Sequence, residues 1–103
     1  MAVRVLALFN LKPETSIEDY ENWAKTVDIP TVNGLGSIES FDVYKSTGLL
    51  FSDDKPPYQY SETIDIIDMD QFGADAGTEA MQKIAAAFQG MVDDLVFIST
   101  EKL

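Results

Sequence analysis

The spacing of hydrophobic residues along the chain predicts four β-strands. Residues 3–9 and residues 95–98 are apolar on both alternating faces, a pattern typical of strands that are central in their sheet. Residues 58–67 alternate between apolar and polar side chains, which predicts a strand with one half-polar face. Residues 38–46 form the remaining predicted strand, and the Pro- and Gly-containing stretch over residues 47–57 predicts a loop before the third strand.

Two amphipathic segments predict helices. Over about residues 16–27, apolar side chains recur at helical spacing, and Pro30 is expected to stop this first helix. The second helix is expected to begin at Asp68 or Asp70, and Gly90 is its predicted C-terminal break.

The order βαββαβ predicts a ferredoxin-like α+β fold, formed by a single domain over residues 1–103. We expect a four-stranded antiparallel sheet with both helices on one face, because right-handed crossovers place them there. The first and last strands, taken as central, are apolar on both faces, so the face of the sheet opposite the helices must also be buried. A second copy packed sheet to sheet would bury it, which predicts a homodimer that forms a dimeric α+β barrel. The alternative, a monomer with an exposed apolar patch, would be unusual.

Composition disfavours or excludes several classes of function. The 103 residues include 18 acidic and 7 basic side chains, so the net charge of −11 disfavours binding to nucleic acids or to an anionic membrane. Cysteine and histidine are absent, which excludes disulfides, Cys/His zinc sites, His-ligated haem and Ser–His–Asp triads. No metal or other cofactor is expected. Because no long apolar stretch or signal peptide is recognisable, we expect a cytoplasmic protein.

The most informative candidate for acid–base chemistry is Asp28, at the predicted exit of the first helix. A carboxylate at the negative end of a helix dipole is disfavoured as an anion, which raises its pKa towards a useful range. The alternative is an exposed helix-end residue with no role. On the third strand, Tyr58, Tyr60 and Glu62 share one face and could line a cavity, although tyrosines are also ordinary strand residues.

Three further side chains could contact a ligand. Tyr20 and Trp23 lie one helical turn apart and could form an aromatic wall, or could serve core or dimer packing. Asn10 ends the first strand and could hold a ligand carbonyl or bond the adjoining loop.

Several motifs together resemble the REDY-like/HapK family. They are LFNLKP at residues 8–13, YExWA at residues 20–24, DxPTV at residues 28–32 and PYQY at residues 57–60. The family occurs with prodigiosin-type, or tripyrrole, pigment biosynthesis, and the resemblance covers nearly the whole chain. It implies a dimeric α+β barrel and a role in secondary metabolism, but it carries no settled reaction.

A more distant similarity concerns the end of the first helix. EthD-type barrel enzymes often have His-x-Pro at this place, whereas this chain has Asp28-Ile29-Pro30. The substitution puts any histidine-based mechanism in doubt, because a buried carboxylate can move a proton but does not bind haem.

The resulting hypothesis is a cofactor-independent enzyme that cyclises, condenses or dehydrates a hydrophobic heteroaromatic intermediate of pyrrole or indole type by proton transfer. The alternative is a non-catalytic binding or accessory protein of a biosynthetic pathway. The expected catalytic residues are Asp28, Glu62 and Tyr60. The expected substrate-binding residues are Asn10, Tyr20, Trp23, Thr31 and Tyr58.

Overall fold

A computed structural model describes residues 3–103, in which four strands form one antiparallel sheet with helices on one face. The strands are β1 (Val3–Leu11), β2 (Ile38–Lys45), β3 (Tyr60–Ile66) and β4 (Val92–Ser99). Their order across the sheet is β2-β3-β1-β4. This arrangement confirms the predicted fold class.

The prediction that the last strand is central was wrong. Strand β4 pairs only with β1 and lies at the edge of the sheet, whereas β1 and β3 are the two central strands. β4 also begins at Val92, three residues earlier than expected. The register between β1 and β4 shifts between Leu8 and Asn10, and Asp94 of β4 has a positive φ of 59°. Strand β4 therefore contains an irregularity near its start, and its pairing with β1 continues on both sides of it. An apolar pattern on both faces therefore did not indicate a central position.

The first helical segment continues past Pro30, so the predicted stop was wrong. It consists of α1 (Ile17–Trp23), a π-helical turn (Ala24–Asp28) and α2 (Ile29–Asn33) without a break. In the π turn the backbone N–H of Ile29 donates to the carbonyl of Ala24, five residues back. Pro30 therefore lies in the first turn of α2, directly after this wider turn, where its missing N–H and its ring are tolerated. The segment ends at Gly34.

The second predicted helix is two helices. They are α3 (Met69–Ala76) and α4 (Glu79–Met91). The side chain of Asp68 accepts a hydrogen bond from the N–H of Gln71 and caps α3, as expected for one of the two predicted caps. The chain then turns at Gly77, and Thr78 caps α4. Gly90, the predicted break, lies inside α4, which ends one residue later where β4 begins.

The helices cover one face of the sheet, here called the helix face, and leave the other, the open face, uncovered. On the helix face the core forms two clusters, one around Phe9, Tyr20 and Phe88 and the other around Phe41 and Ile66. Within residues 3–103, no helix is long and apolar enough to cross a membrane.

The open face carries apolar side chains next to polar ones. Leu6 and Leu8 of β1 lie opposite Ile98 and Val96 of β4, and the two β4 side chains are 41% and 38% exposed. At the other end of this face, Nε and one terminal guanidinium nitrogen of Arg4 donate to the two carboxylate oxygens of Asp65, at 2.7 and 2.9 Å.

Candidate functional site

A cavity of about 230 Å³ lies between the helix face of the sheet and the helices. Its walls are almost entirely apolar and include Phe41, Phe72, Ile84, Phe88 and Phe97. The exceptions are two carboxylates, Asp28 and Glu62, and we therefore call it the acid cavity.

The π turn carries Asp28 into the wall of the acid cavity. The residue is only 3% exposed, and burial raises its pKa from 3.8 to about 6. A raised pKa was expected, but the expected cause was wrong, because the helical segment runs five residues beyond Asp28. Loss of water contact disfavours the anion at this position, and no helix end is involved.

The second carboxylate, Glu62, lies in the middle of β3, between Ala7 of β1 and Val43 of β2. It is 4% exposed. Burial, and secondly the negative charge of Asp28, raise its pKa from 4.5 to about 8. The fixed strand register thus holds a carboxyl group under the helices in an environment that favours its protonated form.

Together the two groups form an acid–base pair near neutral pH. At pH 7 a group with a pKa of about 6 is mostly ionised, whereas one with a pKa of about 8 is mostly protonated. Asp28 can then accept a proton while Glu62 can donate one. Two carboxyls whose pKa values are pushed apart by their surroundings are the arrangement that acid–base enzymes use.

Tyr20 does not line the acid cavity, but the charges of both carboxylates act on its hydroxyl. The side chain is completely buried, and its hydroxyl has no hydrogen-bond partner among residues 3–103. Burial and then the charges of Glu62 and Asp28 raise its pKa, so it stays a neutral donor. A buried hydroxyl without a partner costs roughly 1–3 kcal/mol, which makes it a candidate hydrogen-bond donor to a ligand.

Tyr60 and Trp23 are placed next to Tyr20, and like it they do not line the acid cavity. The Tyr60 hydroxyl donates to Oε2 of Glu21 at 2.7 Å, and its pKa is raised by burial and by this carboxylate. The indole of Trp23 stacks on Phe88 with ring centroids 6.4 Å apart and also packs on Tyr20. Trp23 therefore serves core packing in the single chain.

The structure does not bring the other three predicted residues to the acid cavity. The Asn10 amide donates to the carbonyl of Pro57 and to Asp94, and its oxygen accepts from the Gln59 N–H at 2.9 Å, so it bonds the adjoining loop. Tyr58 lines a different pocket, and Thr31 is half-buried on α2 without contributing to the cavity wall.

Sequence reasoning missed the side of the acid cavity that α3, α4 and β4 supply. Phe72, Met81 and Phe97 lie there. Their apolar character was visible, but whether an apolar residue fills a core or borders a cavity depends on how closely the elements pack. Among residues 3–103, no three carboxylates come together as a possible metal site.

The sheet order and the helices on one face define a ferredoxin-like α+β protein. The chain belongs to the family of REDY-like proteins HapK, which it matches over residues 3–103. No curated protein is detectably similar to the chain in sequence.

Solved structures agree with this assignment. HapK from Hahella chejuensis is 27% identical, with a TM-score of 0.79 over 98% of this chain and 92% of that chain. The Arabidopsis thaliana protein At3g17210 is 18% identical, with a TM-score of 0.79 over 98% of this chain and 95% of its own. A dimeric ferredoxin-like protein of unknown function from Thermobifida fusca is 17% identical, with a TM-score of 0.76 over 99% and 92%. The last two show the fold alone.

Proposed function

We propose that this protein is a cofactor-independent enzyme of secondary metabolism that moves protons on a hydrophobic heteroaromatic intermediate. The observation that carries the proposal is the pair of buried carboxylates, Asp28 and Glu62, on the wall of an otherwise apolar cavity. An apolar cavity with a few convergent polar groups of perturbed pKa is the usual form of an active site.

Each polar group has a separate role in this proposal. Asp28, the ionised member, removes a proton from the substrate, and Glu62, the protonated member, donates one to the atom that gains electron density. General acid–base catalysis of this kind contributes about 10²–10⁴-fold in rate, enough for a cyclisation, condensation or dehydration of a reactive intermediate.

The substrate class follows from the walls and the size of the cavity. Four phenylalanines lie in the walls beside aliphatic side chains, and about 230 Å³ exceeds the roughly 150 Å³ that suffices for a benzene-sized ring. A pyrrole- or indole-type intermediate fits this description. Membership of the HapK family supports a place in prodigiosin-type pigment biosynthesis.

The test is an incubation with a panel of pyrrole and indole intermediates, followed by mass spectrometry of the products. Asp28→Asn and Glu62→Gln should each abolish the product while retaining ligand binding, measured as quenching of Trp23 fluorescence. The matched controls are Glu14→Gln and Asp53→Asn, which change exposed carboxyls outside the cavity and should leave product formation unchanged.

Normal product formation by both cavity variants would contradict the enzymatic proposal. A protein that changes only the yield or lifetime of an intermediate, never the identity of the product, would instead be a binding or accessory protein. The apolar walls support this second candidate function as well, because they suffice for binding a hydrophobic ligand without either carboxyl.

We also propose that the protein is a homodimer joined through the open faces of two sheets. Support comes from the exposed Val96 and Ile98 on that face, and from related structures of Thermobifida fusca and Bacteroides fragilis proteins that are described as dimeric. The measurement is the sedimentation coefficient at micromolar concentration. We propose in addition that the protein is located in the cytoplasm.

A further inference from the structure

Two further cavities lie at the side of the helix face that is formed by α1, the π turn and the ends of β2 and β3. One has a volume of about 180 Å³ and the other about 120 Å³, and both are lined by Lys45 and Tyr60. We call them together the lysine pocket. The larger one is also lined by Ile17, Lys55, Pro56 and Tyr58, and the smaller one by Tyr20, Glu21 and Lys25.

Positive charge is concentrated at the lysine pocket. The whole chain has 7 basic residues against 18 acidic ones, yet Lys25, Lys45 and Lys55 all line this one region. Glu21 is the acidic residue in its lining, and it already bonds the Tyr60 hydroxyl and pairs with Lys45 at 3.4 Å. Neither Lys25 nor Lys55 forms an ion pair within residues 3–103. In the lining of the pocket, three lysines thus outnumber one carboxylate, on a molecule that is strongly negative as a whole.

Hydrogen bonds hold one wall of the pocket in place. The Ser46 hydroxyl donates to the carbonyl of Tyr58 at 2.7 Å, and the Ser46 N–H donates to the carbonyl of Gln59 at 2.8 Å. The side chain of Asn10 binds the same segment from β1. Because the wall is fixed before a ligand arrives, binding loses less conformational entropy.

We propose that the lysine pocket binds a small aromatic carboxylic acid. Its ring lies against Pro56 and Tyr58, and its carboxylate lies between Lys45 and Lys55. The larger cavity alone exceeds the roughly 150 Å³ of a site that holds benzene. Lysine ammonium groups supply the charge-assisted donors that a carboxylate needs. A nucleic acid is disfavoured, because the net charge of −11 repels a polyanion, while a single anionic group meets only the local field.

This site is separate from the acid cavity, since the two share no lining residue, and the inference does not depend on the proposed reaction. In the proposed reaction the acid cavity transfers protons in apolar surroundings, whereas the lysine pocket binds a negatively charged group. The lysine pocket could thus hold an acidic substrate or product that the acid cavity would reject.

The experiment compares acids with their neutral amides by calorimetry and by amide chemical shifts. The probes are benzoate and pyrrole-2-carboxylate, against benzamide and pyrrole-2-carboxamide. We expect each acid to bind at least about ten-fold more tightly than its amide, because a hydrogen bond to a charged group is stronger than one to a neutral group. Added salt should weaken binding of the acids and leave the amides unchanged. The amide signals of Tyr58 and Gln59 should shift.

Two lysine variants and one control locate the binding. Lys55→Gln and Lys45→Gln should each lower the affinity for the acids several-fold, whereas Lys83→Gln, an exposed change on α4, should not change it. Glu62→Gln should keep full affinity, which separates this result from the test of the proposed reaction. Equal affinity for acids and amides, unchanged affinity in both lysine variants, or chemical shifts confined to the acid cavity would each overturn the proposal. The acid–amide comparison uses the unmodified protein, so it stands even if a variant fails to fold.

Discussion

The behaviour of the individual carboxyl groups depends on burial that a sequence pattern reveals only in part. Asp28 and Glu62 could be selected from their residue type and their position on predicted elements. Their pKa values could not, because burial results from how the helices and sheet pack. Asn10 shows the same limit, since its side-chain partners Pro57 and Asp94 lie 47 and 84 residues away along the chain.

Glu62→Gln should make the protein more stable at alkaline pH. The folded protein holds the Glu62 proton up to a pKa of about 8, whereas the unfolded chain releases it near 4.5. Between these values the folded state binds more protons, so the free energy of unfolding falls as pH rises. Glutamine removes this penalty. The variant should therefore exceed the original protein by roughly 3–5 kcal/mol above pH 8, and by almost nothing near pH 4.

Urea unfolding at several pH values measures this difference. Glu14→Gln is the matched control, because Glu14 lies exposed in the loop after β1. Its unfolding curve should follow that of the original protein at every pH. A Glu62→Gln variant that is less stable than the original at pH 9 would show that the carboxylate is satisfied when ionised.

At the scale of elements, the sequence predicted which segments fold into strands and the first helix, but not how those segments end. Pro30 would break a regular helix, but here it follows a π turn and lies in the first turn of α2, where the helical segment continues. The break at Gly77 was missed because residues on both sides continue an apolar stripe. The edge position of β4 was missed because its two apolar faces imitate a central strand.

Replacing Pro30 with alanine should change stability very little. If the π turn already relieves the clash between the proline ring and the preceding turn, alanine recovers no strain and makes the unfolded chain slightly more flexible. We expect the free energy of unfolding to fall by less than about 1 kcal/mol. The comparison variant is Ala86→Pro, which places proline at an exposed position in the middle of the regular helix α4 and should cost about 3 kcal/mol or more.

Unfolding in urea measures both variants, with one common value for the dependence of the free energy of unfolding on urea concentration. A gain approaching 3 kcal/mol for Pro30→Ala would mean that the proline is strained in a regular helix. The π turn would then not be the feature that accommodates it.

At the scale of the whole molecule, the charge and the open face act in opposite directions. A net charge of −11 on each copy opposes association, while the apolar side chains of the open face favour it. The acidic groups are spread over helices and loops as well as the sheet. The open face carries the ion pair between Arg4 and Asp65, and the negative charge of Asp42 also acts on Arg4 there. Association through this face therefore has to overcome repulsion between the two copies, which added salt screens.

Ile98→Lys should dissociate the proposed dimer. Ile98 lies on the edge strand next to Leu6, and a lysine there would place one ammonium group from each copy on the face that the proposed dimer buries. Losing the apolar contact and burying charge should weaken association by at least about a hundred-fold. Met69→Lys is the matched control, because Met69 is an exposed apolar residue on α3, away from the open face. Sedimentation should give a monomer for Ile98→Lys and a dimer for Met69→Lys, and for the original protein a dimer that tightens with added salt. A dimer that survives Ile98→Lys would place the interface on another surface.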